Sequence, residues 1–190
     1  MAGRTFVDVI ALIVSGLSLA VAAVGTVLSN KRSSEALAES RKAAAAALWF
    51  GIQEAAQRFI GFDPASEPIG ERLANLRIAM IALVDELDDW AGLDQWLEAE
   101  RALGATLGRQ VMELSKPGDS VDQRLKLLDP YQRWAQVLGS NLRRFRGEGY
   151  DADAATKLRD HAADQLRRVC HAHGWPLPST TIPGLKALDD

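Results

Sequence analysis

The sequence predicts an all-α protein: one amino-terminal transmembrane helix followed by a small antiparallel bundle of about four to five helices. Three observations lead there. Val9 to Leu28 is an unbroken run without a charged residue. From Ser33 to Gly174 apolar residues recur at spacings of three and four, the helical period. No stretch has the strict alternation of a strand, and no Asn-Gly hairpin signal occurs.

The run VIALIVSGLSLAVAAVGTVL, residues 9–28, would rise as a helix by about 1.5 Å per residue to about 30 Å, the thickness of a bilayer's hydrocarbon core. A cleaved signal peptide is the competing reading, with Ala20-Val21-Ala22 as a small-x-small site. The apolar run continues past it and exceeds the usual h-region. Arg4 is the one basic side chain before the run, whereas Lys31, Arg32, Arg41 and Lys42 follow it. That bias places the carboxyl-terminal domain on the cytoplasmic side of the cell membrane.

Asp8, Ala11, Ser15, Ser18, Ala22, Gly25 and Ser29 follow alternating spacings of three and four, which aligns them on one face opposite Leu, Ile and Val. In lipid, small side chains let helix backbones approach, and hydroxyls can bond across the contact. The face is expected to be a homo-oligomeric seam, and its 3.5-residue repeat predicts a left-handed crossing. Asp8 at the membrane edge either faces a partner or reaches back to the interface.

The rest of the chain divides into a juxtamembrane helix (31–62), a helical bundle (63–174) and an extended or disordered tail (175–190) with three prolines. The first of these helices runs from about Ser33 to Ile60, with Leu37, Ala44, Leu48, Ile52, Ala55 and Phe59 on one face, and could continue from the membrane span. Gly61 to Pro68 reads as a loop. Leu73, Leu76, Met80, Leu83, Val84, Leu87 and Trp90 mark a helix ending near Ala91-Gly92. Leu93, Trp96, Leu97, Leu103, Leu107, Val111 and Leu114 mark the next, stopping before Lys116-Pro117-Gly118.

Asp119 is expected to cap a fourth helix. Its stripe of Val121, Leu125, Leu128, Tyr131, Trp134, Leu138, Leu142 and Phe145 predicts a kink or a break at Asp129-Pro130. Asp151 or Asp153 caps a last helix carrying Leu158, Ala162, Leu166, Val169 and Cys170, which ends at Gly174. The layout resembles that of small bacterial proteins with one amino-terminal span and a helical cytoplasmic domain.

Composition narrows the function classes. With 47% hydrophobic and 25% charged residues in 190, one domain with its own core is affordable. A net charge of −3 and an isoelectric point near 5.7 give no electrostatic footprint for nucleic acid. The lone Cys170 excludes an intramolecular disulfide.

Charge is nevertheless uneven. An acidic patch, Asp85, Glu86, Asp88 and Asp89, continues through Asp94, Glu98 and Glu100 without a basic residue. A basic stretch runs from Arg124 through Lys126 and Arg133 to the patch Arg143, Arg144 and Arg146. The two could pair within the bundle, pair between subunits or recruit a partner, but ordinary solvated faces are the simpler account.

No residue set carries a catalytic, cofactor or metal signature, and none of these is expected. Asp85 and Asp89 share a helix face, yet a diphosphate-metal site would need a second ligand helix and a large apolar cavity. No Glu has a His three residues later, as di-iron bundles require. His161, Cys170, His171 and His173 have the wrong spacing for a local zinc site, and histidines suit a helix carboxyl end. Glycine-rich phosphate loops are absent. Trp49, Trp90, Trp96 and Trp134 read as core or groove residues, and Trp175 as a staple for the tail. The expected function is a membrane-anchored interaction or signalling module that self-associates through its span and presents its bundle to a protein partner. The alternative is a membrane-perturbing or channel-forming effector with a soluble helical trigger.

Overall fold

The computed structural model describes residues 33, 35–37 and 39–178 and divides the chain into two units, 1–44 and 45–190. In the first unit every described residue is helical and exposed. Among the described residues of the chain no helix is long and apolar enough to cross a membrane. The run 9–28 and the face from Asp8 to Ser29 lie outside them.

The second unit is a bundle of five helices: α1 (residues 45–57), α2 (Gly70–Glu86), α3 (Leu93–Leu114), α4 (Val121–Glu148) and α5 (Ala152–His173). All-helical architecture therefore holds for the described residues. Helix α3 is central. It carries thirteen buried residues and packs on α2, α4 and α5, whereas α4 and α5 do not pack on each other. Neighbours in sequence run antiparallel, but α3 and α5 are parallel. Gln95 bonds Arg159 at one end, and Gln110 meets His173 at the other. Alternate helices are therefore parallel, as an up-and-down order of antiparallel neighbours requires.

The core runs from Trp49, Ile52 and Phe59 through Leu76 and Leu83 to Trp96, Tyr131, Leu138 and Leu142. Helix α1 lies along α4, with Gln53 bonded by Arg146 and the following turn held by Gln132, which accepts from Gly61 N–H and donates to the Phe62 carbonyl.

Three local expectations are corrected. Helix α2 stops at Glu86, because Leu87 leaves helical geometry and Trp90 turns in to stack on Tyr150 at 4.5 Å. Gly92, at φ 86°, opens α3 instead of closing α2; glycine adopts that left-handed backbone without steric cost. Ser120, not Asp119, caps α4, exchanging hydrogen bonds with Gln123 in a reciprocal capping box. Asp119 accepts from Lys116 N–H one turn earlier.

At Pro130 α4 continues as one helix and is not divided into two. A mid-helix proline costs about 3 kcal/mol. The residues just after it offset that cost: Tyr131, Trp134, Ala135 and Leu138 are buried, and each large apolar side chain contributes about 1.5–3 kcal/mol on burial. Helix α5 begins at Asp151, which accepts from Ala154 N–H, and ends at Gly174 in the left-handed conformation, as anticipated. Trp175 then folds back. Its N–H donates to the Cys170 carbonyl, its ring stacks on His173 at 4.5 Å, and the Arg109 guanidinium lies 4.2 Å over it.

Candidate functional site

On the face of α3 that meets α4, Glu100, Gly104 and Gly108 stand four residues apart and so share one helix face. The glycines are packing notches. A Cβ at Gly104 would lie 2.2 Å from the Trp134 ring, and one at Gly108 would lie 2.5 Å from Ile69 Cδ1. At Gly108 the close atom is the end of the flexible Ile69 side chain, whereas at Gly104 only a hydrogen fits beneath the rigid Trp134 ring.

That ring brings its indole N–H to a buried acid. Glu100 is 6% exposed, and each of its oxygens takes one indole donor: Trp96 Nε1 donates to Oε1 at 3.1 Å, and Trp134 Nε1 to Oε2 at 3.0 Å. Trp96 is one turn earlier on α3, and Trp134 comes across from α4. Both rings are braced, Trp96 edge-on to Phe145 and Trp134 edge-on to Phe59.

Among the described residues no cation bonds to Glu100. Burial pushes its pKa from an ordinary 4.5 up to about 7, and the two indole hydrogen bonds only partly counter that rise. Glu98, two residues earlier, is also buried but is satisfied differently. Arg101 bonds it through two nitrogens, one at 2.7 Å, and is itself held more firmly protonated by that contact.

Glu100 lies at the floor of a groove of about 490 Å³ between the unpacked faces of α4 and α5. Leu103 and Leu107 complete the floor with Gln110. The α4 wall is Asp129, Pro130, Arg133, Trp134 and Val137; the α5 wall is His161, Ala162, Gln165, Arg168 and Val169. At the rim Arg133 pairs with Asp129 at 3.0 Å, and His161 and Gln165 share a hydrogen bond. Arg168 is exposed and forms no ion pair among the described residues. A smaller cavity near the α4–α5 turn is lined by Asn141, Arg144, Tyr150 and Lys157 among others. The Asn141 amide nitrogen there is buried without a partner.

The residues singled out by the sequence fall elsewhere. Asp85, Glu86, Asp88 and Asp89 are exposed at the end of α2 and in the turn after it. Arg143, Arg144 and Arg146 are exposed on α4, where Arg143 donates to Ser140, Arg144 pairs with Glu148 and Arg146 bonds Gln53. None of the ion pairs among the described residues joins the two patches. Glu98 and Glu100, counted within the acidic stretch, belong instead to the interior.

The histidines and cysteine of α5 do not converge. Cys170 is buried, which pushes its thiol pKa up, and His173 is engaged by Trp175 and Gln110. Among the described residues no group of three or more His, Cys, Asp or Glu side chains is placed to hold a metal ion.

Glu100 escaped as an individual site because an isolated glutamate on a charged, amphipathic helix looks like a solvated residue. The one available signal was the i, i+4 series Trp96, Glu100, Gly104, Gly108, which puts an aromatic donor, an acid and two notches on one stripe. Compared with protein-family models, with curated proteins and with solved structures, the chain matches none.

Proposed function

We propose that this chain is a membrane-tethered helical interaction module, anchored by one span over residues 9–28, self-associated through the Asp8–Ser29 face, and carrying its bundle on the cytoplasmic side. The observation that carries the reading is the 20-residue uncharged run at 9–28, followed after Ser29 and Asn30 by Lys31-Arg32. It has the length of a bilayer span and the flanking charge of an amino-out orientation. The bundle adds support of a different kind. Its five helices close a core of their own, so the anchor is not needed to complete the fold and is available for assembly.

The test is made on the full chain in its native membrane. Alkaline carbonate should leave it in the membrane fraction, whereas deletion of residues 1–30 should release it. In a membrane dimerisation assay, Ser15→Leu with Ser18→Leu should weaken self-association at least severalfold. Extraction of the full chain by carbonate would refute the anchor, and an unchanged association signal would refute the seam. Ion flux from reconstituted protein, lost on Asp8→Ala, would replace the scaffold reading with a pore-forming one.

A further inference from the structure

We infer that the groove over Glu100 is a binding site for a small organic cation, an ammonium group carried on an apolar body. Glu100 is a buried acid whose partners are two neutral indole N–H groups, and among the described residues no positive group bonds to it. A buried carboxylate in that position is satisfied as an acceptor but not as a charge. Each oxygen receives a single donor and retains capacity for another.

The second observation is the space beside it. The groove's volume of about 490 Å³ falls within the range of small-molecule sites, and its lining divides evenly between apolar residues and polar or charged ones. Leu103, Leu107, Val137 and Val169 would cover an aliphatic or aromatic body. The Trp134 ring, which holds Glu100 through its indole N–H, borders the same space.

Charges around the mouth have to be weighed. From α4 come Asp129 and Arg133, which neutralise one another; from α5 come His161 and Arg168. Arg168 disfavours a cation at the rim, but it is exposed, and water and salt screen it strongly. Glu100 sits at the buried end, where the dielectric is low and the same separation is worth several times more. The floor therefore decides the sign of the ligand.

A cation on Glu100 competes with a proton there. With the acid half-ionised near pH 7, the apparent affinity should rise about tenfold between pH 6 and pH 8. An alkylammonium stays charged across that range.

The experiment uses the full chain in an uncharged maltoside detergent, with the indole N–H signals of Trp96 and Trp134 followed by NMR. Three probes of similar size are titrated: phenethylammonium, 2-phenylethanol and phenylacetate. Phenethylammonium is expected to shift both indole signals saturably, about tenfold more tightly at pH 8 than at pH 6. The neutral alcohol should bind at least tenfold more weakly than the amine at pH 8. Glu100→Gln should abolish the preference for the amine, and Arg168→Ala should leave binding intact or tighten it by a few fold. The pH series on the unaltered protein keeps the test decisive if Glu100→Gln folds poorly. Binding of phenylacetate as tight as that of the amine would overturn the inference in favour of the rim arginines. No shift by the amine up to 10 mM, or equal affinity at pH 6 and pH 8, would overturn it outright (about 10 mM being the weak end of fragment binding).

Discussion

Replacing Gly104 by alanine adds one methyl group where the structure has no room for it. The new Cβ would stand 2.2 Å from two carbons of the Trp134 ring, well inside any real contact. The flexible end of a lysine could move aside, but this ring cannot. Phe59 packs against it edge-on at 5.3 Å, and its indole N–H is committed to Glu100. Forced overpacking costs about 1–3 kcal/mol. If the ring tilts away, one oxygen of the buried Glu100 loses its donor, for about 1–3 kcal/mol more. Helix propensity opposes these losses, since alanine is favoured over glycine by about 1 kcal/mol in a helix interior.

The net expectation is a destabilisation of about 2–4 kcal/mol, read from urea denaturation followed by tryptophan fluorescence. Gly51→Ala is the internal reference. Gly51 is also helical, and nothing lies within 4 Å of the position its Cβ would take. There propensity acts alone, and stability should rise by about 0.5–1 kcal/mol. Equal effects of the two substitutions, or a gain at Gly104, would refute the close approach of Trp134 to α3.

Other outcomes follow from the same contacts. Glu100 binds its proton more tightly folded than unfolded, so between pH 4.5 and about 7 the unfolded state carries fewer protons and stability falls as pH rises. The full effect is about 3 kcal/mol at most, it levels off above pH 7, and denaturation curves from pH 5 to 8 should lose this slope in Glu100→Gln. Asp63 acts in the opposite sense. Burial raises its pKa, but Arg124, Ala65 N–H and Ser66 together hold it below 3.8, so its contribution is lost as pH falls through that range, and Arg124→Ala should shrink the acid-side loss seen below pH 4. Ser120→Ala removes the capping box of α4 and should cost about 1 kcal/mol by the same denaturation assay.

Helix periodicity made most of the bundle legible. The bounds of α3 and α5, the Gly61–Pro68 loop, the cap at Asp151 and the stop at Gly174 all follow from residues that act on their own neighbours. The sequence reading failed where a distant contact decides. Pro130 was expected to kink α4 or to divide it in two; it does not divide it, because the burial of Tyr131 and Trp134 against α3 outweighs the local penalty. Trp90 looked like the last residue of a helix, yet its stacking on Tyr150, sixty residues away, draws it out of one. Glu100 shares this character. Its neighbours on either side in sequence are apolar or charged as in any surface helix, and what removes it from solvent is an indole arriving from α4.

The groove and the buried acid have one structural origin. Gly104 lets α4 settle against one face of α3, Gly108 receives Ile69 beside it, and the other face is taken by α5 running parallel to α3. Both helices are then committed to α3 and not to each other, and the strip of α3 between them forms the floor of the groove. Glu100 lies one turn before the first notch, which is where Trp134 must cross to reach its bed on Gly104. A large residue at position 104 would lift α4, release Trp134 and open Glu100 to water, so the depth of the groove and the protonation of its floor should change together. Fluorescence of Trp134 and the midpoint of the Glu100 titration are therefore expected to shift in concert across a series of substitutions at Gly104. Independent movement of the two would separate the acid from the helix crossing that this structure assigns to it.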